Sequence, residues 1–273
     1  MARILTGLSI LATIVAVKAQ PIEDLKPAAD ALAKPMSEQT YRVRYLPDAK
    51  LRFNGTLEND ALYVMRTKAN VETNFTFPWK SNDPLRTEFR AVRDDKFFFF
   101  LFELCDHDIV VLDKLRNEED EVFEDRIELY FSKDDKLKDY YCIEIDSRGR
   151  VFDYRGKFYR KFDTNWNWPG LSASSGRSKV GYEVWGCIPL ASFKQLGFGD
   201  LKPGSKIRFG MYRAEFSHDR TGKKVEQTAT LHNLGRKVEG NPPIEEWMSW
   251  IDPKVKDPDF HIPATFGWLE IAE

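Results

Sequence analysis

The chain has 273 residues, of which 42% are apolar and 14% aromatic, enough to bury one large core or two small ones. Its 41 basic and 43 acidic residues leave a net charge of −2, with no Lys/Arg-rich run and no acidic tail. That balance argues against nucleic acid and against a strongly basic partner.

The first residues, MARILTGLSILATIVAVKAQ, place Arg3 before an apolar run from Leu5 to Val17 and a small residue at Ala19. They read as a secretory signal, 1–19, cut between Ala19 and Gln20. The run is too short to anchor in a bilayer, and no later stretch could cross one. A secreted or periplasmic protein is therefore expected. Residues 20–40 contain Pro21, Pro27 and Pro35 and few large apolar side chains, so they read as a flexible leader. One domain is expected over 41–273.

From Tyr41 the character changes. Tyr41, Val43 and Tyr45 alternate with Arg42 and Arg44, the period-two pattern of a half-buried strand. RTEFRAVRD (Arg86 to Asp94) leads into FFFFLFEL (Phe97 to Leu104), a continuous apolar run that suits a strand buried on both faces. DRIELYFS (Asp125 to Ser132) alternates, as does YYCIEID (Tyr140 to Asp146), which turns through Ser147, Arg148 and Gly149 into VFDY (Val151 to Tyr154). GYEVWGCIPL (Gly181 to Leu190), a brief helical turn near ASFKQL and KIRFGMYRAEF (Lys206 to Phe216) complete the series. Short strands with frequent turns and almost no helix predict an all-β fold, a two-sheet antiparallel β-sandwich of jelly-roll type with minor short helices.

Strand parity selects the candidate site. Ile127, Leu129 and Phe131 share one face of their strand, so Arg126, Glu128 and Tyr130 share the other. In the next strand Tyr141, Ile143 and Ile145 point inward, while Tyr140, Cys142, Glu144 and Asp146 point outward. The short KDDKLKD connection predicts antiparallel pairing and a merged outer face. A surface of this composition suits a sugar, whose C–H faces lie on aromatic rings and whose hydroxyls bond Arg and carboxylates. One ring covering about 80 Å² contributes roughly 2 kcal/mol, so charged groups must supply selectivity. Near the C-terminus, Pro258 and Pro263 bracket Phe260 and His261, which predicts a rigid loop displaying the ring.

EDRIELYF, YYCIEIDSRG, GYEVWGCIPLASF, PGSKIRFGMYRAEF, WMSWIDP and DPDFHIPATFGWLEI, in this order, resemble the family 9 carbohydrate-binding modules. The likeness is strongest to their bacterial CBM9-like relatives of the DOMON-like superfamily, and spans roughly Tyr41 to Ile271. The resemblance implies a two-sheet sandwich that binds glucans, xylans or their oligosaccharides. It also implies a link to carbohydrate catabolism through a glycosidase partner, the module itself having no catalytic residue. The family's sugar-contacting acid in "D-x-x-E" falls on Glu128, with Asp125 before it. The aromatic platform ahead of the final "P-x-x-F-G" falls on Phe260. The opposing tryptophan's place is held by Val122, and the next strand's arginine is replaced by Glu144.

The sugar-binding candidates are therefore Glu128, Glu144, Phe260, Arg126, Tyr130, Tyr140, His261 and Trp250. Trp250 and Trp268 read equally as core or loop supports, His261 as a hydrogen bonder fixing its loop, and Trp79 as a structural plug. Trp166 and Trp168, in NWNWPG, read as an exposed pair. An alternative is a glycosidase with Glu128 and Glu144 as the carboxylate pair, separated by about 5 to 5.5 Å for retention or roughly 6.5 to 9.5 Å for inversion. A second alternative, from haem-binding DOMON relatives, would draw on Met65, Met211, His107 and His218. No cofactor is expected. Calcium is the one candidate metal, at Asp106 and Asp108 of CDHD, though two acids fall short of the six to eight oxygens it takes. Of three cysteines, Cys142 and Cys187 are the favoured disulfide and Cys105 the odd thiol, with three buried free thiols the competing reading. Asn54 (NGT) and Asn74 (NFT) are glycan acceptors if the host glycosylates.

Overall fold

The computed structural model describes residues 26–27, 29–80, 84–115, 117–218 and 244–272. The expected signal, 1–19, and the first part of the expected leader lie outside the described residues. Among the described residues, thirteen strands carry the fold. They are β1 (Thr40–Tyr45), β2 (Asn70–Glu72), β3 (Thr87–Arg93), β4 (Phe97–Cys105), β5 (Arg126–Ser132), β6 (Tyr140–Asp146), β7 (Val151–Lys157) and β8 (Lys161–Asp163). After these come β9 (Ser172–Arg177), β10 (Gly181–Pro189), β11 (Lys206–Ser217), β12 (Ile244–Ser249) and β13 (Gly267–Ile271). No helix among the described residues is long and apolar enough to cross a membrane.

The strands form one continuous, curled sheet in the order β8-β7-β6-β5-β11-β13-β1-β3-β4-β10-β9, with β12 beside β11 and β2 beside β3. The all-β expectation holds, but the sheet is mixed where a purely antiparallel pair of sheets is expected. β1 lies parallel to both of its neighbours, β13 and β3. The reason is connectivity: tight hairpins enforce antiparallel pairing, whereas β1 meets β13 from the far end of the chain and β3 only after a long excursion, both of which permit parallel registers.

The curl brings the arms face to face. Ile127, Leu129 and Phe131 of β5 and Ile143 and Ile145 of β6 pack in one core with Phe98, Phe100 and Phe102 of β4. Rings meet across it at 6.2 Å (Phe98 to Phe131) and 5.9 Å (Phe89 to Phe209). β4 is apolar on both faces because its other side, Phe99 and Leu101, meets helix α2 (Ala61–Lys68), the helix that follows the single-turn α1 (Ala29–Leu32). Asp60 caps that helix by accepting from the Tyr63 amide at 3.0 Å, and Ala61, Val64 and Met65 form its buried stripe. The helical turn read near ASFKQL is present as a short helix, Leu190–Gln195.

Other expectations move. From Ala29 onward the leader packs: Ala31 meets Val255 and Ile262, and Met36 inserts among Tyr130, Tyr140 and Phe260. All three cysteines are free. Cys142 faces the outer side of β6 and Cys187 the side of β10 that meets the α2 layer, so the whole core separates the favoured pair. Trp168 is buried in the core and Trp166 packs on it, so neither is displayed.

Phe131 touches the rings of Phe98, Trp168, Phe193 and Phe209. Phe131→Ala is expected to cost about 3–5 kcal/mol, since those four rings cannot all collapse into the space. Urea unfolding should show a lower midpoint at an unchanged slope; a midpoint within error of the parent would mean that the arms do not depend on this contact.

Candidate functional site

The face selected by parity exists, and the two strands pair antiparallel as expected. β5 and β6 pair antiparallel with Glu128 opposite Glu144, Tyr130 opposite Cys142 and Arg126 opposite Asp146. β7 adds Tyr154 opposite Cys142, and β11 adds Tyr212 opposite Glu128. Two glycines let the rings lie close to the sheet: a Cβ on Gly156 would sit 2.4 Å from the Tyr140 ring, and one on Gly210 would clash with the Tyr212 hydroxyl.

Arg126 is the hub. Its Nε donates to Glu144 Oε2 at 2.7 Å, and its Nη1 to the Val122 carbonyl at 2.9 Å. Its Nη2 lies 2.8 Å from Glu128 Oε1, an ion pair whose alignment is too poor for a hydrogen bond. A third acid, Glu121, comes from the 3-10 turn Glu118–Phe123 and sits 3.6 Å from Nε with neither oxygen hydrogen-bonded. Tyr130 donates to Glu128 at 2.5 Å and Tyr154 to Glu144 at 2.7 Å. His261 lies over the Tyr130 ring with centroids 5.0 Å apart. Its Nδ1 is 3.1 Å from the Tyr140 hydroxyl and its Nε2 3.4 Å from that of Tyr130.

This face is interior, which corrects the reading of an open platform. Of the eight candidates the most exposed is His261, at 8%. Phe260, expected on display, stacks on Tyr212 at 4.2 Å and meets Trp247 edge-on at 5.2 Å. Its segment is tied down by Thr265, whose hydroxyl donates to the Phe260 carbonyl and accepts from Tyr212. Asp259 adds an ion pair to Arg160 at 2.7 Å. Trp250 faces the other way, into the core between the arms, and is not part of the cluster. Trp79 does plug: its Nε1 donates to the Val255 carbonyl and its ring meets Phe260.

Electrostatics follow from the burial. The removal of water, reinforced by the Glu144 charge, pushes the Glu128 carboxyl up to about 7 against the pull of Arg126. Glu121 is driven well above the ordinary carboxylate range, chiefly by burial. Burial, with the charges of Arg160 and Arg126, holds His261 well below its ordinary value, so its ring is neutral. As a catalytic pair Glu128 and Glu144 fail on space, because a guanidinium and a tyrosine hydroxyl occupy the position a glycosidic bond would need.

Residues 54–273 match the family described as carbohydrate family 9 binding domain-like. The chain belongs to that family. A protein from Bacteroides uniformis ATCC 8492, provisionally described as carbohydrate-binding, has a similar fold at 18% identity and a TM-score of 0.55, covering 86% of this chain and 100% of that one. A family 9 carbohydrate-binding module from Caldicellulosiruptor kristjanssonii, solved with glucose and with cellotriose, aligns at 12% identity and a TM-score of 0.44 in each case. It covers 85% and 86% of this chain and 95% and 94% of that one. No curated protein matches the chain at a significant level.

This family 9-like domain also buries a second acidic cluster. Asp106, Asp125 and Glu215 each bring an oxygen within 4.8 Å of the others. Arg213, fully buried, pairs with Glu215 and lies 3.7 Å from Asp106. Both Asp125 oxygens accept backbone N–H groups, from Val110 and Phe216. Asp108, expected beside Asp106, instead bonds His218 at 2.9 Å. Three carboxylates with a guanidinium among them do not fit calcium, which takes six to eight oxygens. The haem candidates are scattered: Met65 under α2, Met211 in the main core, His218 on Asp108 and His107 exposed.

Sequence reasoning missed Glu121, Tyr154, Tyr212 and Trp247. Tyr154 was legible, since VFDY puts it on the face of Phe152, beside the Cys142 row. Glu121 sits on a turn with no periodicity to announce it.

Burial pushes Asp125 up to about 9 and, with Glu215 and Glu128 at about 7, leaves the folded protein holding protons that the unfolded chain releases near 4.5 or below. The stability so gained is present below the unfolded values and is lost as pH rises through the folded ones. His261 opposes this only below about pH 6.5. The urea midpoint should therefore fall between about pH 6.5 and pH 9; a flat or rising midpoint would show these acids ionised throughout.

Proposed function

We propose that this chain is an exported carbohydrate-binding protein that recognises poly- or oligosaccharide where polysaccharide is broken down, alongside a glycosidase. The family match over residues 54–273 carries the reading. The 18% identical neighbour adds only that the fold is one found in a protein of similar description. The architecture supports a binding role in a further way: the arms, both cores and the Pro258–Pro263 segment over β5–β6 are extensively packed, which gives a rigid body on which a surface groove keeps its shape.

Binding is tested by titration calorimetry of the mature protein against cello-, xylo- and acidic oligosaccharides at millimolar sugar. Heat with at least one class is expected, in the weak range that a single stacked ring and a few hydrogen bonds supply. Absence of heat across the panel would remove the reading. Export is tested separately, by N-terminal sequencing of protein recovered outside the cytoplasm. The expected first residue is Gln20, and an intact Met1 would overturn it.

A further inference from the structure

An open groove lies beyond the strand ends, away from the buried acids. The leader forms one wall and the β5–β6 connection the other, enclosing about 390 Å³, within the range of small-ligand sites. Its floor is apolar: Met36, Phe158 and Pro263 line it, Phe158 being half-buried.

The polar side is built around Arg208, a side chain only 5% exposed. Its guanidinium lies 3.5 Å from the centre of the Trp268 ring, donates from Nε to Asp135 at 2.6 Å and from Nη1 to the Ser37 carbonyl at 3.0 Å. Glu38 stands 3.7 Å from Nη2, beyond hydrogen-bond reach, and itself accepts from the Trp268 indole at 3.1 Å. A guanidinium has five N–H donors, so these two hydrogen bonds leave donors for a ligand. Arg208 holds the Asp135 carboxyl below its ordinary range, so that exposed acid is ionised and able to accept from a hydroxyl. Lys34 and Lys136 also line the groove. With Arg208 they give three positive charges against two from Glu38 and Asp135, a net of +1.

We infer that this groove is the carbohydrate site, and that it takes an oligosaccharide carrying a carboxylate, such as a uronic acid chain. A sugar's C–H face can lie on Phe158, Met36 and Pro263 while its hydroxyls meet the Arg208–Asp135 pair. The surplus positive charge discriminates a uronate from its neutral counterpart. The inference rests on the carbohydrate-binding reading above.

The test compares an oligogalacturonate with a cello-oligosaccharide of equal length by calorimetry, using wild-type protein, Lys136→Glu, Phe158→Ala and, as a remote control on α2, Tyr63→Ala. The acidic chain should bind more tightly, with added salt eroding the difference. Lys136→Glu should weaken it by about fivefold, the scale of one exposed ion pair, and Phe158→Ala should weaken both ligands. Lys136 is exposed, so Lys136→Glu keeps the test valid if Phe158→Ala unfolds. Sugar binding that neither groove variant alters would overturn this site while leaving the carbohydrate reading intact. Equal or tighter binding of the neutral chain would overturn the acidic ligand, and no binding of any sugar would overturn both.

Discussion

The outer face of β5–β6 depends on one buried guanidinium. Arg126 is 3% exposed and is shared by Glu121, Glu128 and Glu144, two of them on adjacent strands and one on the turn that precedes them. A charge taken out of water is tolerated only where partners and further hydrogen bonds surround it. Here the Val122 carbonyl, Tyr130 and Tyr154 complete the shell. The same interaction joins the Glu118–Phe123 turn to the sheet, so the turn's docking and the pairing of the acids are one event. Truncating the arginine would leave the acids without their cation, whereas truncating any one acid leaves two.

That constraint explains the Pro-bracketed aromatic and histidine. A cluster this polar needs a dry lid, and Phe260 supplies it by stacking on Tyr212 while His261 closes over Tyr130. The prolines hold the segment out of helix and sheet so that both side chains turn inward together. His261 suits the place because a neutral imidazole has one donor and one acceptor, and the hydroxyls of Tyr140 and Tyr130 face its two nitrogens.

Period-two alternation made most of the strands and their inner faces legible. Ile127, Leu129, Phe131, Ile143 and Ile145 all point where parity puts them, and the Phe97–Leu104 run is buried on both faces as its composition demands. Parity also brought Glu128 and Glu144 to one side of the sheet. It could not say whether that side met water, because what covers it comes from Met36, Val122, Phe123 and Phe260, each remote in sequence from β5 and β6 or outside any periodic element. The same blindness hid the parallel pairing of β1, which no local turn specifies. Cys142 and Cys187 looked pairable for the converse reason: alternation gives a residue's face within its strand and nothing about which side of the sandwiched core that face adopts.

Magnitudes decide between the covered face and an open one as the place for a ligand. Uncovering the acids would expose Phe260, at about 1.5–3 kcal/mol for a large apolar side chain, together with the packing of His261 and the hydrogen bonds of Thr265 and Asp259. A sugar laid on one uncovered ring returns only roughly 2 kcal/mol, and its hydroxyls would have to displace Tyr130 and Tyr154 from carboxylates they already satisfy. The exchange runs uphill before any entropy of association is counted. Recognition therefore belongs where a half-buried ring and an exposed carboxylate already line an open groove beside Arg208, and the Glu128–Glu144 face is left with the structural work of holding the sheet and the Pro258–Pro263 segment together.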